Sequence, residues 1–119
     1  MRKIVLIKRN EGRKIEISKT YEVTDFLTKD ICKSVSVALG KASDHEETTR
    51  NIKSDRIYFV LEGKLTVRDE NGKVFIARRG DIVFIPKNTK YHFKGTFKAL
   101  LINSPAFDPK YEKIEKIKE

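Results

Sequence analysis

Two segments in the second half of the chain decide its fold: DRIYFVLEGKLTV at residues 55–67 and GDIVFIPKNTKYH at residues 80–92. Residues 57–61 are apolar at every position and rich in β-branched and aromatic side chains, which predicts a strand covered on both faces. Gly63 interrupts the first segment, and Pro86 ends an apolar strand in the second, because proline cannot donate to a sheet. Both segments therefore predict short strands joined by turns.

The first half of the chain shows the same pattern. Residues 14–18 and 34–37 alternate polar and apolar side chains, which is typical of half-buried strands. Residues 10–12 predict a turn between the first two strands, and Asn71-Gly72 predicts a tight hairpin. Short strands at regular spacing predict an all-β sandwich or barrel.

The length of 119 residues corresponds to one domain. We assign residues 1–109 to this domain and residues 110–119 to a charged tail that forms at most a short helix. The apolar run Ile4-Val5-Leu6-Ile7 is far too short for a membrane span or for the core of a signal peptide. We therefore expect a soluble, cytoplasmic protein that has no membrane partner.

The chain is basic, with 26 Lys and Arg against 17 Asp and Glu, a net charge of +9. Most basic residues are interleaved with acids, and neither a recognition helix nor an aromatic platform accompanies them, so we do not expect nucleic acid as a partner. The single Cys32 excludes an internal disulfide. The absence of glutamine and tryptophan, with abundant Lys, Glu and Ile, indicates a thermophilic source.

Together the two opening segments resemble the two sequence motifs of the cupin superfamily, whose members are double-stranded β-helix barrels of the jelly-roll type. The resemblance covers residues 35–103 and depends on the pairing YFVLEG and GDIVFIP. It implies the fold and not one activity, because cupins include isomerases, epimerases, dioxygenases, sugar-binding regulators and storage proteins.

The metal-binding pattern of the family is altered in this chain. Cupins usually hold Fe, Mn, Ni or Zn inside the barrel with three histidines and one glutamate. Counted from the glycine of the first motif and the proline of the second, these positions are Arg50, Ile52, Arg56 and Tyr91. Such a set cannot hold a divalent cation, so the resemblance implies a metal-free site, and we expect no cofactor.

A second register keeps a metal site open. If residues 40–54 form a loop longer than the family norm, His45 and Glu47 supply two ligands and His92 supplies a third. However, His92 alternates with aromatic neighbours and shares its strand face with two lysines, so we expect it to face solvent. His45 lies in a polar segment, where a surface histidine is expected.

The resemblance places a small group of side chains toward the barrel lumen: Arg56, Tyr58, Tyr91 and Phe93, with Arg50 as a further candidate. A guanidinium beside tyrosine hydroxyls in an apolar barrel suits a carboxylate, a phosphate or the hydroxyls of a sugar. In the alternative, an acid of the chain itself (Asp55, Glu62 or Glu47) pairs with the guanidinium, and the rings fill the barrel.

Three functions remain open from the sequence. The first is metal-free binding of a small anionic or hydroxylated ligand, such as a sugar, a sugar phosphate or a small acid. The second is an enzyme of the sugar isomerase or epimerase type, with Tyr58 or Tyr91 as acid and His45 as base. The third is an interaction or structural protein that docks acidic partners. We also expect a homodimer formed through sheet edges.

Overall fold

The structure is a computed structural model that describes residues 3–118. Within them the strands are β1 (Arg13–Ser18), β2 (Tyr21–Leu27), β3 (Ser36–Asn51), β4 (Asp55–Asp69), β5 (Val74–Arg78), β6 (Ile82–Ile85), β7 (Tyr91–Ser104) and β8 (Glu112–Lys118). Two short 3-10 turns cover Arg9–Glu11 and Pro109–Tyr111. No helix among the described residues is long and apolar enough to cross a bilayer.

The strands pair antiparallel in the order β1-β2-β3-β7-β4-β5, and β6 and β8 add to β4 and β3. The first half of β3 pairs with β2 and the second half with β8, while β4 pairs first with β6 and then with β5. Register shifts at 42–45 in β3 and 60–62 in β4 lie between these halves. The sheet therefore bends into two facing layers, which confirms the predicted all-β jelly-roll barrel.

Strand alternation builds the interior of the barrel. Arg56, Tyr58 and Val60 of β4 are buried, while the residues between them are only partly covered. The strand β7 alternates in the same way around Tyr91 and Phe93. At the bend, Gly63 has φ +80°, and an added Cβ would collide with the backbone of a neighbouring strand, so glycine is needed there.

Three expectations about local structure are wrong. Residues 36–51 form one continuous strand, so most of the predicted loop at 40–54 is sheet. The tail is not helical: after the 3-10 turn it forms β8, which pairs with β3. The turn predicted at residues 10–12 does not join two strands, because residues 3–8 before it lie outside every helix and strand and the first strand is β1. Residue 119 of the tail lies outside the described residues.

Candidate functional site

Arg56 lies at the centre of a buried hydrogen-bond network, which we call the Arg56 network. Its Nε donates to Asn103 Oδ1 at 3.0 Å, and its Nη1 donates to the Tyr91 hydroxyl at 3.0 Å. Both terminal nitrogens also donate to the Glu112 carboxylate, at 3.1 and 2.8 Å. Every guanidinium nitrogen therefore has an acceptor from the protein, and the charge of Arg56 is balanced internally.

Glu112 of β8 is the counter-ion of this network. It also accepts hydrogen bonds from Thr49 Oγ1 at 2.6 Å and from Asn51 Nδ2 at 2.9 Å. Burial alone would raise the pKa of its carboxyl, but the Arg56 guanidinium and these hydrogen bonds hold that pKa below its usual value. The carboxyl is thus ionised at neutral pH and neutralises the guanidinium.

The acids expected to pair with Arg56 have other partners. Asp55 accepts from the backbone N–H of Lys87, Glu62 pairs with Lys98, and Glu47 pairs with His45. The expectation that one of them neutralises Arg56 is therefore wrong. Sequence reasoning missed Glu112 because a run of charged residues carries no apolar alternation to mark a strand.

Tyr58 and Tyr91 form a pair of buried hydroxyls. Their oxygens share a hydrogen bond of 2.6 Å, and the rings meet edge to face. Burial raises the pKa of both hydroxyls, and that of Tyr58 lies well above its usual value. Both groups are therefore neutral at physiological pH; one hydroxyl hydrogen is used in the bond between them, which leaves one for a further acceptor.

The other end of the interior contains a histidine–carboxylate pair, His45 and Glu47. We call this pair, together with Thr20 and Tyr21, the His45 end. His45 is 1% exposed, and its Nε2 lies 2.9 Å from Glu47 Oε1. Its Nδ1 lies 2.8 Å from Thr20 Oγ1, and its ring stacks on Tyr21. The expectation of a surface histidine is wrong, because β3 continues through this segment and turns His45 and Glu47 inward.

Phe93 connects the two ends of the interior. Its ring centroid lies 5.5 Å from that of His45 and 5.9 Å from those of both Tyr58 and Tyr91. It also meets Tyr21 edge to face at 5.7 Å. The structure thus brings together four predicted lumen residues, namely Arg56, Tyr58, Tyr91 and Phe93, and adds the His45 end to them.

Two buried polar groups of the interior have no hydrogen-bond partner among the described residues. They are the hydroxyl of Tyr21 and the amide nitrogen of Asn103. Buried polar groups in folded proteins are paired in the great majority of cases. These two groups, with Nε of Arg50 as a third such atom, are buried polar groups whose hydrogen-bonding capacity the described chain leaves unused.

A cleft of about 570 Å³ opens between β5 and β6 and is bordered by Tyr91. Most of its lining is apolar and includes Val67, Ala77, Val83 and Ile85. Its size lies within the range of roughly 300–1,000 Å³ that is usual for small-molecule sites. Tyr91, whose hydroxyl belongs to the Arg56 network, is the residue through which the cleft borders the polar interior, whereas Tyr21 and Asn103 do not line it.

Two further candidate residues, Arg50 and His92, lie on the strand faces opposite to the buried ones. Arg50 alternates with the buried Thr49 and Asn51 of β3, so the structure separates it from the lumen residues. His92 lies on the opposite face of β7 from the buried rings of Tyr91 and Phe93, and it contacts Thr48 and Glu46.

The residues present do not fit the metal ion that cupins usually bind. His45 and Glu47 are hydrogen-bonded to each other, and the place of a third ligand belongs to Tyr91, beside the positive charge of Arg56. Among residues 3–118, no three His, Cys, Asp or Glu side chains come together as a metal site.

Comparison with known proteins gives the family. The family model for the ethanolamine utilisation protein EutQ matches residues 3–106. The chain belongs to the EutQ family. A crystal structure of a putative EutQ from Salmonella typhimurium is 32% identical, with 73% of this chain and 71% of that chain covered and a TM-score of 0.66. The family match ends before Glu112, so β8 lies beyond it.

One curated relative is the acetate kinase EutQ of Escherichia coli, which is 50% identical over 42 residues. That stretch is 35% of this EutQ-family chain and only 18% of the relative's length. The similarity to this relative is therefore local.

Other solved structures share the fold at lower identity. Streptomyces PAC13, described as a nucleoside dehydratase, is 18% identical, with a TM-score of 0.82 and 98% and 95% of the two chains covered. Variants of PAC13 with one histidine or one of two tyrosines replaced were solved with uridine. KdgF from Halomonas is 15% identical at a TM-score of 0.76, covering 89% of this chain and 99% of that one. These similarities show the cupin-type barrel alone.

Proposed function

We propose that this EutQ-family cupin binds a small, neutral, hydroxylated molecule of the sugar or nucleoside class inside its barrel, without a metal. The observation that carries the proposal is the pair of buried, unpartnered groups, the Tyr21 hydroxyl and the Asn103 amide. A ligand oxygen placed beside either group would remove the cost of leaving that group unpaired.

The charge of the interior favours a neutral ligand over an anion. Arg56 is the buried guanidinium of the barrel, and Glu112 already binds it through both terminal nitrogens. An anion would have to displace this carboxylate or lie beside it and beside Glu47, at an electrostatic cost in a buried site. Hydroxyl groups need no counter-ion and can both donate and accept.

Titration calorimetry with uridine, ribose and glucose 6-phosphate tests this proposal. We expect the neutral compounds to bind and the phosphate to bind more weakly. Tyr21→Phe should weaken the binding of uridine by roughly tenfold, which is the value of one hydrogen bond. His92→Gln, on the outer face, is the matched control and should bind as the wild type does. Tighter binding of the phosphate, or equal binding by Tyr21→Phe, would contradict the proposal.

A second candidate function is proton transfer on the bound molecule, as in an epimerase or a dehydratase, and the His45–Glu47 pair favours it. A carboxylate only accepts hydrogen bonds, so Nε2 of His45 donates to Glu47, and Nδ1 is hydrogen-bonded to the Thr20 hydroxyl. Both ring nitrogens are then engaged, whereas the second oxygen of Glu47 has no hydrogen bond in the described chain. Glu47 is therefore the base, and His45 is the residue that positions it.

The Tyr58–Tyr91 pair would supply the proton on the other side of the ligand, from the one hydroxyl hydrogen that is not used in the bond between the two tyrosines. Incubation with ketoses and aldoses in deuterated water, followed by NMR, tests this chemistry. Deuterium should enter beside the carbonyl group with the wild type, and Glu47→Gln should slow the exchange by roughly 100-fold or more. An unchanged rate in Glu47→Gln would exclude this function while leaving ligand binding intact.

A further inference from the structure

The donors around the Glu112 carboxylate form a complete binding site for a carboxylate group. Its Oε1 accepts from Arg56 Nη2 and Asn51 Nδ2. Its Oε2 accepts from Arg56 Nη1 and Thr49 Oγ1. Each oxygen thus has one donor from the guanidinium and one from a side chain of β3, and the planar carboxylate matches the fork of the arginine. We call Arg56, Asn51 and Thr49 the cradle.

The cradle and the carboxylate that fills it come from different parts of the chain. The cradle residues lie on β3 and β4, within residues 3–106 that the EutQ family model matches. Glu112 is the first residue of β8, which lies beyond that match. The part of the chain that matches the family therefore builds the site, and the part beyond it fills the site.

The strand β8 is held to the barrel along one edge. It pairs with β3, and no strand of the described chain pairs with its other edge. Among residues 113–117, only Ile117 is partly covered, and the ion pair between Glu115 and Lys90 is half-exposed, so it contributes little. Glu112 is therefore the main side-chain anchor of β8. An edge strand of this kind opens at a lower free-energy cost than the core of a protein.

We propose that the cradle is a binding site for a small carboxylate, and that Glu112 occupies this site until β8 opens. A carboxylate that replaces Glu112 keeps the charge of Arg56 balanced and restores the same hydrogen bonds, so the exchange costs only the opening of β8. This route adds no anion to the closed interior, because the Glu112 carboxylate leaves as the ligand enters. The neutral ligand proposed above uses other groups, namely the Tyr21 hydroxyl and the Asn103 amide, so the two proposals can fail separately.

Thermal unfolding of Glu112→Ala with and without acetate tests the site, because acetate reproduces the Cγ atom and the carboxylate that the variant lacks. We expect acetate at about 0.5 M to raise the Tm of this variant by roughly 5 °C or more beyond the shift that equal chloride gives. Glu115→Ala on the same strand is the matched control. Its carboxylate lies outside the cradle, so acetate should shift its Tm only as far as that of the wild type.

The chloride-corrected shift should also depend on the guanidinium. Adding Arg56→Met to Glu112→Ala should abolish the acetate effect, because it removes the charge that binds the carboxylate. Equal acetate shifts in Glu112→Ala and Glu115→Ala would overturn the proposal. A Glu112→Ala chain that is unfolded without acetate and stays unfolded in acetate would overturn it as well.

Hydrogen exchange of the wild type tests the opening of β8 without any substitution. We expect the amides of β8 to exchange through a local opening, and acetate to speed this exchange by roughly tenfold over equal chloride, because it binds the open form. The amides of β1, at another edge of the sheet, are the internal control and should exchange equally in both salts. Exchange of β8 only through global unfolding, or at a rate that acetate does not change, would overturn the proposal.

Discussion

The two ends of the barrel interior differ in how their charged groups are paired. In the Arg56 network, every guanidinium nitrogen has an acceptor, and Glu112 accepts from several donors. At the His45 end, Glu47 is bound through one oxygen, and the hydroxyl of Tyr21 has no partner among the described residues. We propose that the Arg56 network stabilises the fold, and that the Tyr21 hydroxyl at the His45 end and the Asn103 amide beside the network are the groups left for a ligand.

The largest effect on stability should come from breaking the Arg56 network. Glu112→Gln leaves a buried guanidinium without its counter-ion, and such losses cost about 3–5 kcal/mol of unfolding free energy. Glu115→Gln on the same strand is the matched control. It removes only the half-exposed ion pair with Lys90, and its cost should stay below about 1 kcal/mol. Urea unfolding measures both, and equal losses would contradict the assignment.

The ion pair between Arg56 and Glu112 predicts that the stability of the fold depends on pH. The pKa of Glu112 in the folded chain lies below its usual value, so its contribution to stability is complete above the unfolded pKa and is lost as the pH falls through the folded pKa. The difference in unfolding free energy between the wild type and Glu112→Gln should therefore shrink on acidification below about pH 4.5. A constant difference at acid pH would show that the carboxylate charge is not what stabilises the network.

The two histidines should differ in how much they contribute to the free energy of unfolding, by less than the Arg56 network does. His45→Gln removes a buried, stacked ring and weakens the contact with Glu47, with an expected cost of about 1–3 kcal/mol. His92→Gln changes a contact on the outer face and should cost less than about 1 kcal/mol. Thermal unfolding of the two variants makes this comparison, and a costlier His92→Gln would contradict the placement of His45.

The smallest effect on stability is expected for Tyr21→Phe. Its hydroxyl has no hydrogen bond to lose, so the variant should be as stable as the wild type or slightly more stable. Tyr58→Phe is the matched control, because its hydroxyl is bonded to Tyr91 and its loss should cost about 1 kcal/mol. A Tyr21→Phe variant that is clearly less stable would mean that this hydroxyl has a structural role.

The fold was predictable because its signals are local. Alternation in residues 14–18 and the apolar strand at 57–61 show the sheet directly, and Asn71-Gly72 marks a hairpin that joins β4 to β5. Alternation also placed Arg56 and Tyr58 on one inward face, as the structure has them. These inferences need only the period of a strand.

The rest of the site depends on contacts that sequence spacing does not show. His45 and Glu47 lie on a strand whose inward face is polar, so hydropathy does not separate its two faces and the segment resembles a loop. Glu112 lies 56 positions from Arg56 along the chain, and only the pairing of β8 with β3 brings it into the barrel. Neither arrangement has a local pattern that predicts it.

A crystal structure of the chain soaked with uridine tests the central claim most directly. The account predicts uridine inside the barrel, with one of its oxygens within hydrogen-bond distance of the Tyr21 hydroxyl or the Asn103 amide, and the pair of Arg56 and Glu112 intact. Uridine bound only on the outer surface, or bound in place of Glu112 on Arg56, would contradict it.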